Sequence, residues 1–256
     1  MDNFARFVDL VVNDVTYLMD RSLNEFAQIH NIETEMESAQ EWAAKSPQYR
    51  REQEGALRSL ARYAPGRITL GRLTVNLLKL LTAETKTPFM VPEIVGKLAA
   101  MLDYNLGALA GPKCRNLKVR NPEKYKFDPR MLLSDIVQVF LNLSDEKEFV
   151  RAVAEDGRNY KKGLFEGTVE ILRRRMIKTE DEIEKLLAFV SKVEALKTTL
   201  EEEKDLGEAP EEFLGMPYFN TRFVIPCLTD VVWTLDRDSG QGHDQVAFAF
   251  GPEGSV

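Results

Sequence analysis

Cys114 sits in Gly111-Pro112-Lys113-Cys114-Arg115, between two positive charges. Such flanks lower a thiol pKa and favour the thiolate, the form that acts as a nucleophile. A cysteine nucleophile also needs a positioned base, and neither histidine, His30 nor His243, is near it in sequence. The residues therefore favour a structural loop cysteine. The same stretch carries Lys113, Arg115, Lys118, Arg120, Lys124, Lys126 and Arg130. That cluster could meet an acidic partner or nucleic acid, but a solvated loop balancing acidic helices is the plainer reading.

Other candidates give way in the same manner. Arg173-Arg174-Arg175 has Glu170 and the acids from Glu180 to Glu182 close by, which points to pairing within and between helices. The acidic run from Glu201 to Glu208 lacks calcium-loop spacing and reads as a solvated hinge. Gly66-Arg67-Ile68-Thr69-Leu70-Gly71 lacks the Gly-Lys-Ser/Thr ending of a phosphate loop. Asp236, Asp238, Ser239 and His243 lie in a polar turn with no framework to hold a catalytic set. The histidines have no metal-ligand spacing. The residues by themselves imply no catalytic group, no cofactor and no metal.

The elements that must position these residues are helices. Phe4, Phe7, Val8, Val11, Val12, Val15, Leu18, Met19, Leu23 and Phe26 recur at helical spacing, predicting a long amphipathic helix from Phe4 to Ile29. Residues 32–45 continue as an acidic helical segment around Trp42, interrupted by Ser46-Pro47. A charged helix follows from about Gln48 to Ala64 and is expected to stop at Pro65-Gly66. Ile68 to Thr82 is apolar on most sides, which predicts a helix central to its domain. Pro92 and Pro129 each suit the first turn of a further helix. Ser144 is a plausible N-cap for the next, residues 159–177 make another, and Thr179 with Glu182 forms a capping box before the last.

Residues 1–206 thus read as all-α, an antiparallel stack or solenoid without a clean sequence repeat. After Leu206 the pattern changes. Gly207-Glu208-Ala209-Pro210 is a linker, and Phe223 to Ile225, Val231 to Leu235 and Val246 to Phe250 are short β-prone runs. A net charge of −7 argues against general nucleic-acid binding. The absence of a membrane-length apolar run, the start Met1-Asp2-Asn3-Phe4 and only two cysteines lead to the expectation of a soluble intracellular chain.

Ala110 to Val119 and Asn121 to Pro129 resemble the core of the U-box ubiquitin-chain elongation factors, the E-four class of ubiquitin ligases. Phe7 to Asp14, Pro88 to Glu93, Lys97 to Leu106 and Glu208 to Leu214 look like further blocks of that family in order, so the resemblance covers residues 4–214. It implies an armadillo-like helical solenoid followed by a zinc-free U-box. The family's U-box binds a ubiquitin-conjugating enzyme charged with ubiquitin and favours transfer to a lysine of ubiquitin already on a substrate. Such a ligase acts by positioning. The resemblance also implies an AAA segregase, proteasomal shuttle factors and ubiquitinated substrates as partners, and a location in cytoplasm and nucleus. No nucleic acid or membrane is expected as a partner.

The likeness breaks at the catalytic module. Pro210, Phe213 and Leu214 look like the opening of the U-box, but Gly215-Met216-Pro217-Tyr218 replaces the family's Asp-Pro step and the later U-box blocks are missing. Asp236-Arg237-Asp238-Ser239 is at best a superficial echo. The expected organisation is a helical core over 1–206, a linker and U-box opening over 207–214, and a divergent tail over 215–256. That tail is expected to be irregular, β-prone and poorly ordered, replaced through a retained intron, altered splicing or an imperfect gene model. The family core also begins well upstream of Met1, so the N-terminus is expected to be incomplete. The chain is expected to be a fragment of a ubiquitin-chain elongation ligase, of the acyltransferase class, itself inactive for want of an intact U-box. The alternative is a non-catalytic helical scaffold that binds an AAA segregase or ubiquitinated substrate. A solenoid cut from its neighbours also exposes an apolar end, so independent folding is a third question.

Overall fold

A computed structural model describes residues 3–207, with side chains from 3 to 203. The opening helix α1 (Asn3–Glu35) follows the expected stripe: Val8, Val12, Val15, Met19, Phe26 and Ile29 are fully buried. A break at 36–38 separates it from the short α2 (Ala39–Ala44), which buries nothing. Ser46 then caps α3 (Pro47–Glu84), its side chain accepting from the Tyr49 amide.

Two expectations fail in α3. Pro65-Gly66 does not end a helix, because α3 runs straight through both residues. Its flanks are held from outside: Ala64 and Ile68 are fully buried, and Arg67 pairs with Glu25 of α1. Nor is the Ile68 to Thr82 stretch buried on all sides. Leu70, Leu73, Leu77 and Leu80 face solvent, because α1 and α5 pack against only part of the circumference.

The remaining elements are α4 (Pro92–Ala110), α5 (Pro129–Leu143), α6 (Lys147–Glu155), α7 (Lys162–Arg174) and α8 (Glu180–Gly207). Short 3-10 turns occupy Thr87–Met90 and Pro112–Leu117. Pro92 and Pro129 open α4 and α5 as their spacing predicts. The capping box also holds: the Glu182 amide donates to Thr179 Oγ1 at 3.4 Å, and the Thr179 amide donates to Glu182 at 2.9 Å. Ser144 is not an N-cap. It ends α5, its hydroxyl donating back to the Leu141 carbonyl at 2.9 Å, and α6 begins after Glu146. The helix expected over 159–177 is shorter, because Asp156 draws the amides of Arg158 and Asn159 into a turn first.

Cross-helix ties give the stacking sense. Along α1 and α3, Leu18 lies by Gly71, Glu25 by Arg67 and Glu35 by Tyr49, so the two are antiparallel. Asp9 with Lys97 and Asp20 with Tyr104 make α1 and α4 parallel. Lys79 with Asp135 and Thr82 with Asn142 make α3 and α5 parallel. Tyr160 with Glu194 and Arg173 with Glu180 set α7 against α8. Gln138 with Lys178 and Asp145 with Lys192 set α8 parallel to α5, so α1, α4 and α7 run one way and α3, α5 and α8 the other. This is the two-layer order of an all-α solenoid. Phe140, Phe149, Phe165 and Phe189 interlock where the later helices meet. Among the described residues there is no strand, and the β-prone runs beyond 215 lie outside them.

Candidate functional site

The stretch from Gly111 to Pro129, the connector between α4 and α5, is clamped to the C-terminal half of α1. Its entrance requires glycine: a Cβ on Gly111 would lie 2.4 Å from the Gly107 carbonyl oxygen. Further on, Glu33 of α1, nearly buried, accepts from the Arg120 amide at 2.8 Å and from the Tyr125 hydroxyl at 3.4 Å. Arg120 also donates to the Glu33 carbonyl and pairs with Glu37 at 3.5 Å. The His30 ring donates through Nδ1 to the Lys118 carbonyl, which fixes its tautomer. Tyr125 and Phe127 drop into the core against Phe26. Lys126 is held at φ 54° in the turn between them, with the Phe127 amide donating to Pro122. Asp128 closes the segment by accepting from the Arg130 and Met131 amides.

This clamp settles the place of Cys114. It is half-buried in the 3-10 turn Pro112–Leu117, its amide donating to Gly111, and no base among the described residues contacts its thiol. The basic cluster is displayed on the outside of the clamp. Lys113, Arg115, Lys118, Lys124, Lys126 and Arg130 are exposed, and among the described residues none has an acidic partner. Lys124 instead stands over the Tyr125 ring. Arg173 does pair with Glu180, as its neighbourhood implies.

One polar group was not visible in the sequence pattern. Asp103, within the apolar run of α4, is fully buried with its carboxyl against that of Asp156, the one hydrogen-bonding partner it has among the described residues. Burial, and then the facing Asp156, push its pKa up to about 8. The neighbouring Tyr160 hydroxyl donates to Glu194 at 2.7 Å, and burial raises that group too. Asp156 also lines a shallow cleft of about 520 Å³ with Pro92, Val95, Gly96, Glu148 and Arg151. Among the described residues, no three His, Cys, Asp or Glu side chains converge as metal ligands. Pro210, Phe213, Leu214 and the polar turn at 236–243 lie outside the described residues. What the geometry offers chemically is a rigid helical support with a fixed cationic connector.

Comparison with known proteins gives this support a lineage. Residues 1–194 match the family model described as the ubiquitin elongating factor core. The chain is 43% identical over 241 residues to ubiquitin conjugation factor E4 of Schizosaccharomyces pombe, covering 94% of the chain and 24% of that protein. It is 39% identical over 249 residues to E4 ubiquitin-protein ligase UFD2 of Saccharomyces cerevisiae, covering 94% of the chain and 26% of that protein. A probable ubiquitin conjugation factor E4 of Arabidopsis thaliana is 35% identical, with 94% and 23% covered. The chain spans about a quarter of the length of these relatives. At 94% coverage the alignments run past Gly215, so some likeness continues into the tail.

Proposed function

The chain belongs to the ubiquitin elongating factor core family, and from that membership we propose that it is a segment of a ubiquitin-chain elongation ligase. The observation that carries this reading is the family match over residues 1–194, which falls within the helical unit. In the proposed role the helical stack is the stiff support of a ligase that, with an intact U-box, brings a charged conjugating enzyme to a ubiquitinated substrate. Such a ligase lowers the barrier by orientation, with no covalent intermediate of its own. That fits a connector whose cysteine is tied into a turn and has no base beside it among the described residues.

We further propose that this chain does not extend ubiquitin chains unaided. Pro210, Phe213 and Leu214 retain the look of a U-box opening, but the residues after them lack the Asp-Pro step that meets the conjugating enzyme. Its work lies in binding ubiquitinated substrates, an AAA segregase and proteasomal shuttle factors, in cytoplasm and nucleus. The test is a defined reaction with activating enzyme, conjugating enzyme, ubiquitin and a monoubiquitinated substrate. The chain is expected to leave the substrate at its starting length while a full-length relative extends it. Chain growth with the segment alone would overturn the inactivity.

The second reading, a non-catalytic scaffold that docks a segregase or ubiquitinated substrate, is favoured by the exposed cations of the connector, of which Lys113, Arg115 and Lys118 have no acidic partner among the described residues. Pull-down of such partners by the purified chain tests it. Binding lost on charge reversal at Lys113, Arg115 and Lys118 supports the connector as the contact. Binding unaffected by that change refers the contact elsewhere.

A further inference from the structure

From Tyr63 to Ala83, the exposed positions of α3 are Tyr63, Gly66, Leu70, Leu73, Leu77, Leu80 and Ala83. None carries a charge. Leu73 is 61% exposed, Tyr63 55% and Leu80 54%. The charged residues of this stretch bend away from the stripe. Arg67 reaches Glu25 of α1, Arg72 donates to Met131 Sδ, and Lys79 pairs with Asp135 of α5. Met131, itself half exposed, widens the apolar surface at its middle.

From Tyr63 to Leu80 the spacing of the stripe is alternately three and four residues, the seam that packs against another helix. An apolar seam of this length on a free surface marks an association site. Its ends carry opposite charge. Exposed Arg58 and Arg62 stand before Tyr63, and exposed Glu84 follows Ala83, with no ion-pair partner for any of the three among the described residues.

We propose that this face is an isologous interface, in which α3 of one copy of the chain packs antiparallel on α3 of a second copy. An antiparallel arrangement brings the Arg62 end of each helix to the Glu84 end of the other, whereas a parallel one sets like charges together. It also matches sizes. With the two-fold axis between Leu70 and Leu73, these two leucines meet their counterparts and Gly66 faces Leu77. The open space above Gly66, where an added Cβ meets nothing within 4 Å, receives that leucine. A two-fold contact of this kind uses one patch twice, so a seam complementary to itself is what it requires.

Sedimentation equilibrium on the full chain tests the pairing. The expected mass is twice the 29.2 kDa of the chain, falling to the single mass on dilution. Leu73→Glu is expected to give the single mass with the helical circular-dichroism signal and melt intact, because Leu73 is exposed and stands outside the buried core of its own copy. Arg62→Glu and Glu84→Arg should each weaken dimerisation about tenfold, and the double variant should recover it. A single mass at the highest attainable concentration overturns the proposal, as occupation of the face by some other helix would produce. A broad spread of masses, an unchanged mass for Leu73→Glu, or a double variant no better than the singles does the same.

Discussion

The rings of Phe26 in α1 and Phe127 in the connector stack face to face, with centroids 4.1 Å apart and planes 16° from parallel. The connector is thereby part of the core, though it contains only turns. Truncating Phe127→Ala removes the stack and leaves a void against Phe26, which should cost about 3 kcal/mol. Denaturant unfolding measures that loss. Limited trypsin digestion should show faster cutting among Lys113, Lys118 and Lys124 once the anchor is gone.

Glu33 makes the polar half of the same clamp. Glu33→Ala strips the acceptor from the Arg120 amide and the Tyr125 hydroxyl, and unpaired buried donors carry a penalty of about 2 kcal/mol. Glu33→Gln keeps an acceptor oxygen in place and should cost clearly less. Equal losses for the two variants would show that the charge, and not the hydrogen bonding, holds the connector.

Asp103 predicts a pH dependence whose direction follows from its raised pKa. Between the ordinary carboxylate range and about 8, the folded chain holds a proton on Asp103 that the unfolded chain has released. The folded state binds more protons there, so this group's contribution to stability falls as pH rises through that window. Below the window both states are protonated and the contribution is flat. Asp103→Asn, neutral at every pH beside Asp156 and Tyr160, should flatten the profile and stabilise the chain above pH 8 by on the order of a few kcal/mol. Urea midpoints taken from pH 4 to 9 for both proteins make the comparison.

The helix starts at Pro92 and Pro129 and the Thr179–Glu182 box were legible because each is a local event, decided within one turn. The misses at Leu70, Leu73 and Asp103 are tertiary, and the one at Ser144 is a local choice between two helix ends. Leu70 and Leu73 look like core by residue type, but exposure depends on how far α1 and α5 reach around α3. Ser144 has the chemistry of an N-cap, yet it closes the helix before it. Asp103 carries no signal at all, since an aspartate in an apolar helix announces neither its burial nor the Asp156 that faces it. For the site, the sequence pointed to the connector as a structural element, and the clamp on α1 supplies the reason. The opening of the U-box at Pro210 rests on resemblance alone.

Cys114→Ser should be silent. Among the described residues the thiol touches no base, and the turn is held by backbone hydrogen bonds, so stability should stay within about 0.5 kcal/mol. Partner capture should also be unchanged. A thioester-linked ubiquitin trapped on the wild-type chain and absent from the variant would instead make Cys114 a nucleophile.

Pro65 tests how α3 survives a residue that ordinarily ends a helix. Proline has no amide hydrogen, so the Ala61 carbonyl loses its partner one turn on, and the ring crowds that carbonyl; an interior proline costs a helix about 3 kcal/mol. Three features of the neighbourhood oppose that cost. Ala64 and Ile68 are sealed in the core, Arg67 pairs with Glu25, and Gly71 lets α1 approach so closely that a Cβ there would sit 3.2 Å from Met19 Sδ. The helix is thus held from the side where its own ladder is interrupted. Pro65→Ala restores the missing donor without disturbing those contacts, so it should stabilise the chain by about 2 kcal/mol. The denaturant midpoint should rise with the slope unchanged. A midpoint that stays put or falls, with fast amide exchange at Gly66 and Arg67, would mean that α3 is two helices meeting at Pro65 in solution.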